Sequence, residues 1–90
     1  MKNIEVIQEF LKKRNAHTTN LHTEREGDKF ILLNYDEPIA YIEDDDLWLN
    51  QCKYSVTTSK IQNKLAFEAT YTSYNIIEYN QGKVNKKGGY

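Results

Sequence analysis

The chain reads as a small α+β domain: an antiparallel sheet of three to five strands with two helices packed on one face. A helical stripe near the N-terminus points to this fold. So do several short apolar runs divided by turn residues, and a second helical stripe behind a cluster of hydroxyls. The 90 residues suit one domain, since independent domains commonly run to about 100–150 residues. Hydrophobic residues make up 39% and charged residues 28%, with four Gly and one Pro. That composition excludes collagen-like, low-complexity and strongly disordered chains. Residues 1–82 are assigned to the domain and 83–90 to a basic, mobile tail.

Residues 4–14 are expected to form the first helix. Ile4, Ile7 and Leu11 recur at helical spacing, Val6 and Phe10 widen the stripe, and Glu5, Glu9, Lys12 and Lys13 fall opposite. Asn3 is the expected cap, and Glu9 with Lys13 the expected i, i+4 ion pair. Lys12, Lys13 and Arg14 then sit at the C-terminal end, where the helix dipole favours cations. Residues 15–28 are polar, and weak alternation at Thr19, Leu21 and Thr23 suggests a short edge strand. Glu26-Gly27-Asp28 signals a turn.

Phe30-Ile31-Leu32-Leu33 has the length and composition of a strand, and Asp36-Glu37-Pro38 reads as the next turn. Ile39–Ile42 is the following strand, Asp44-Asp45-Asp46 a polar tip, and Leu47-Trp48-Leu49 another strand. Leu47 and Leu49 face one way and Trp48 the other, because side chains alternate along a strand. Tyr54 and Val56 are expected to fill the corner into the second helix, with Thr57, Thr58 and Ser59 as candidate caps. Ile61, Leu65 and Ala69 share one helical face. Helix is expected to about Glu68, and strand over Tyr71–Tyr79, where Tyr, Thr and Ile dominate.

Charge and motif content narrow the function classes. Twelve Lys+Arg against thirteen Asp+Glu leave a net charge of −1. Dedicated duplex-DNA binders usually carry a basic excess, because neutralising phosphates supplies much of their affinity. The single Cys52 cannot form an intramolecular disulfide, and a reduced, cytoplasmic setting is expected. No apolar run approaches the ~18 residues of a membrane span. The sequence has no G-x-S-x-G, H-E-x-x-H, phosphate-binding glycine loop or dinucleotide fingerprint. His17, His22 and Cys52 lack metal-ligand spacing. No enzyme activity, metal or cofactor is expected.

Three candidate surfaces remain. Glu43, Asp44, Asp45 and Asp46 form an acidic tip suited to a basic partner, and Trp48, Tyr71 and Tyr74 are aromatics of the kind that anchor interfaces. Lys83, Lys86 and Lys87 with the tyrosines offer an alternative, a contact for single-stranded nucleic acid. Thr58, Ser59 and Lys60, at a helix start, form an anion-site candidate.

The stretch Tyr35-Asp36-Glu37-Pro38-Ile39-Ala40-Tyr41-Ile42 carries a further signal, together with Trp48-Leu49-Asn50, Lys53-Tyr54-Ser55-Val56-Thr57-Thr58-Ser59-Lys60 and Asn63. It resembles small uncharacterised accessory proteins of bacteriophages and plasmids of Gram-positive bacteria. They share a pattern of the type Y-x-x-P-(V/I)-A-(Y/F) … L-Y-(V/L) … K-Y-S-x-T-T-S-K. The resemblance covers about residues 30–65, and Trp48 stands where that pattern has Tyr. It implies a mobile-element origin and brings no catalytic residue. The function expected is non-enzymatic binding and blocking of a host protein, a defence-system component included, by a monomer or homodimer. A nucleic-acid-binding accessory protein and a self-associating structural protein are the alternatives.

Overall fold

A computed structural model describes residues 1–52 and 54–80, so the basic segment 83–90 lies outside the described residues. Two helices, α1 (Asn3–Leu11) and α2 (Val56–Ala69), accompany five strands: β1 (Leu21–Glu26), β2 (Lys29–Asn34), β3 (Glu37–Glu43), β4 (Asp46–Asn50) and β5 (Asn75–Tyr79). The strands lie in sequence order in one sheet. The first four form an antiparallel meander, whereas β5 pairs parallel to β4. The α+β architecture with two helices is therefore present, and the sheet is mixed rather than wholly antiparallel. The reason lies in α2. A helical crossover returns the chain to the starting end of β4, so the next strand runs the same way.

Each hairpin turns on two residues, and the first of each pair takes a left-handed φ: Gly27 (62°), Tyr35 (57°) and Asp44 (56°). Gly and Asp tolerate that region, whereas a bulky tyrosine rarely occupies it. The second turn is Tyr35-Asp36, not Asp36–Pro38. Pro38 instead lies inside β3, where the register with β2 shifts. A proline within a central strand is accommodated at such a bulge because it has no N–H to give to the ladder.

Both helices pack on one face of the sheet. Val6, Ile7, Phe10 and Leu11 of α1 and Ile61, Leu65 and Ala69 of α2 join Leu21, Phe30, Leu32, Ile42, Leu47 and Leu49 in a single buried cluster. Phe10 stacks on Phe30 with ring centroids 5.7 Å apart. The stripe Ile61, Leu65, Ala69 is buried as expected, and so is the alternation in β4 that sends Leu47 and Leu49 inward.

Helix ends depart from expectation. α1 stops at Leu11 because Lys13 adopts a φ of 61°. Lys12 to Arg14 therefore lie beyond it, and Glu9 faces Lys12 (3.9 Å) and Arg14 (3.8 Å) rather than Lys13. Lys2 takes the capping position in place of Asn3; its N–H donates to Glu5 Oε1 at 2.6 Å. Ser55, not Thr57, Thr58 or Ser59, caps α2, its Oγ accepting from the Thr58 N–H at 3.1 Å. Val56 is 74% exposed and fills no corner. Tyr71 and Tyr74 precede β5 instead of forming part of it.

Candidate functional site on the open face of the sheet

Among the described residues, the helices cover one face of the sheet only. Strand alternation sends the remaining side chains to the other face, where pairing registers set them in rows. The central row runs Glu24, Ile31, Tyr41, Trp48, Ile77 across all five strands. A second row, one step along the strands, holds Glu26, Lys29, Glu43, Asp46 and Asn75. On the opposite side of the central row lie Leu33, Pro38 and Tyr79. Ile31, Leu33, Pro38, Tyr41, Trp48, Ile77 and Tyr79 are each half-buried, so the face is apolar at its centre yet reachable. Much of it lines one shallow groove that Glu24, Glu26, Lys29 and Asp36 border.

The aromatic rings interlock. Tyr41 stacks on Trp48 with centroids 5.5 Å apart and planes 9° from parallel. Tyr79 meets both edge-on, at 5.6 Å from Tyr41 and 6.1 Å from Trp48. Lys29 Nζ sits 4.7 Å from the Tyr41 ring centroid, a cation–π distance. Trp48 Nε1–H and the Tyr79 hydroxyl are both enclosed and find no hydrogen-bond partner among the described residues. Burial pushes the Tyr79 hydroxyl pKa well up, and the neighbouring Tyr41 and Tyr54 phenols add to it. Burial also raises Tyr41, with a smaller contribution from Glu43, whose carboxylate shares its face.

Those shifts set a pH dependence. A phenol whose pKa is raised by folding contributes stability that is complete below the unfolded value of about 10 and is lost as pH rises toward the folded value. Unfolding should therefore become easier above about pH 10. Tyr79→Phe is expected to soften that alkaline loss. At neutral pH it should leave stability unchanged or raise it by up to ~1 kcal/mol, because it removes an unpaired buried hydroxyl. Urea titrations at pH 7 and above pH 10 check both expectations. A Tyr79→Phe variant that is less stable at pH 7 would show that the hydroxyl does have a partner.

The residues singled out from sequence do not share one place. Glu43 and Asp46 stand directly opposite each other at the open face, beside Tyr41 and Trp48. Asp44 and Asp45 form the adjoining turn, where the Asp45 carbonyl accepts from the Asn75 N–H (2.9 Å) and the Asp44 carbonyl from Lys13 Nζ (3.4 Å). Tyr74 is packed against the helix-side core with its hydroxyl on the Leu11 carbonyl at 2.8 Å, and Tyr71, 75% exposed and just past the end of α2, meets Phe67 of that helix. Neither joins Trp48. Thr58 is buried. Its hydroxyl accepts from Asn34 Nδ2 (2.8 Å) and Ser55 Oγ (3.1 Å), so it ties α2 to the sheet while Ser59 and Lys60 border a separate shallow groove. Lys83, Lys86 and Lys87 lie outside the described residues.

No protein-family model matches the chain, and no curated protein or solved structure shows significant similarity to it. The open face thus stands on its own chemistry. Tyr41 and Tyr79 are the members sequence reading did not single out. Tyr41 occupies the same strand phase as Trp48 on the neighbouring strand, a signal present in the sequence. Tyr79 joins them only because β5 returns parallel beside β4. Among the described residues no three His, Cys, Asp or Glu side chains gather to hold a metal ion. No helix there is long and apolar enough to cross a membrane.

Proposed function

We propose that the protein is a non-enzymatic accessory protein of a mobile genetic element that binds and blocks a host protein, and that the open face of the sheet is its contact surface. The observation that carries this reading is the interlocked Tyr41–Trp48–Tyr79 cluster on a face that no described element covers. Large, stiff aromatics in a partly apolar patch with a polar rim are the usual anchors of protein interfaces. The acidic row beside them disfavours nucleic acid, whose phosphates it would repel, and favours a partner of opposite charge. The mobile-element and host assignments rest on the sequence resemblance over residues 30–65.

Site-directed photo-crosslinking tests the reading. A benzophenone amino acid is placed at Leu33 on the open face, or at the exposed Lys64 on α2, and the protein is incubated with nuclease-treated lysate of a Gram-positive bacterium. A protein adduct from position 33 and none from position 64 is expected. Adducts from position 64 alone, a nucleic-acid adduct in untreated lysate, or only dimers of this chain would each overturn the proposal.

A further inference from the structure

The geometry points to an arginine side chain of a basic partner protein as the group the open face receives, an inference that rests on the binding function proposed above. Glu43 and Asp46 are cross-strand partners with their side chains on the same face. Two carboxylates directly opposite each other repel, and a cation placed between them would relieve that repulsion. Among the described residues neither has an ion-pair partner. Asn75 Nδ2 reaches Asp46 Oδ1 at 3.2 Å but brings no charge. Lys29, the cation of the same row, directs its ammonium over the Tyr41 ring instead. The face therefore presents, at the edge of a stacked aromatic pair, two carboxylates without an ion-pair partner among the described residues.

Arginine suits that combination better than other ligands. Its planar guanidinium offers forked donors to carboxylates, stacks on aromatic rings and is weakly hydrated, while its methylene stem packs on apolar surface. Lys29 over Tyr41 shows in the free protein that these rings accept a cation. Nucleic acid would bring phosphates and so place like charge on like.

Trp48 is the chain's only tryptophan, so its fluorescence reports on this site alone. The probe is an end-capped dodecapeptide alternating arginine with threonine; its twin carries citrulline, which has the same shape without the charge. The arginine peptide should change Trp48 emission saturably and bind about tenfold more tightly than the citrulline twin. That preference should shrink as salt is raised and vanish in a Glu43→Gln/Asp46→Asn variant, whose replacements keep the side-chain shape. Equal binding of the two peptides, an unchanged preference in the double variant, or a larger response to a single-stranded oligonucleotide at equal salt would overturn the inference. A partner captured from position 33 alongside equal peptide binding would sink the arginine assignment and leave the binding function standing. Arginine preference without any captured partner would do the reverse.

Discussion

Replacing Asn50 with alanine is expected to destabilise the fold by about 3 kcal/mol, the largest effect anticipated from any single polar side chain here. Asn50 is 1% exposed and ends β4. Its Nδ2 donates to the Pro38 carbonyl (2.8 Å) and the Tyr54 hydroxyl (2.9 Å), and its Oδ1 accepts from the Cys52 N–H (3.0 Å). The first bond supports β3 beside its bulge; the others fix the chain as it leaves the sheet for α2. Gln62 of α2 completes the junction by donating to the Asn50 and Cys52 carbonyls at 2.7 and 3.0 Å. Alanine at position 50 removes several partners at once in a place water does not readily reach, so the desolvation cost of each group returns. Urea denaturation of the variant measures the loss. A cost under about 1 kcal/mol would mean that water enters the junction and replaces the amide.

Replacing Trp48 with alanine is expected to weaken partner binding by about 30-fold or more while the domain stays folded. Trp48 is half-buried, projects from the central open-face row and contacts Tyr41 and Tyr79 rather than the helix-side core. The main core lies on the other face and includes Leu47 and Leu49 from the same strand. Truncation should thus cost far less stability than loss of a fully buried residue such as Phe10, which is 0% exposed and for which alanine would cost about 3–5 kcal/mol. Circular dichroism separates folding from binding, and Trp48→Phe, which keeps an aromatic anchor, should retain most of the affinity. Crosslink yield from position 33 reads the effect. Undiminished capture by a folded Trp48→Ala variant would place the interface elsewhere, the exposed Phe67–Tyr71 pair being the next surface to probe.

Much of the fold was legible locally. The helical stripe Ile61–Leu65–Ala69, the alternation of Leu47, Trp48 and Leu49, and the turn signals at Gly27 and Asp44 depend on spacing within a few residues. Misreadings also had local causes. Three consecutive hydroxyls at 57–59 masked Ser55 as the actual cap, and Lys13 in a left-handed conformation cut α1 short where the charge pattern continued. Pro38 read as a turn because a proline inside a central strand needs a bulge, and a bulge is a property of two strands, not one.

The candidate site divides along the same line. Sequence alone determined that Trp48 opposes the core, that acidic residues cluster at 43–46, and that tyrosines outnumber the other aromatics. Only the tertiary structure decided that Glu43 and Asp46 stand opposite each other beside Tyr41 and Trp48, that Tyr79 closes the cluster, and that Tyr71 and Tyr74 belong elsewhere. The physical reason is that side-chain phase along a strand is set by the residues themselves. Strand order, direction and register are set by which distant segments can bury their apolar faces together. The parallel return of β5 after α2 is such a choice, and it brings residues 41, 48 and 79 onto one surface.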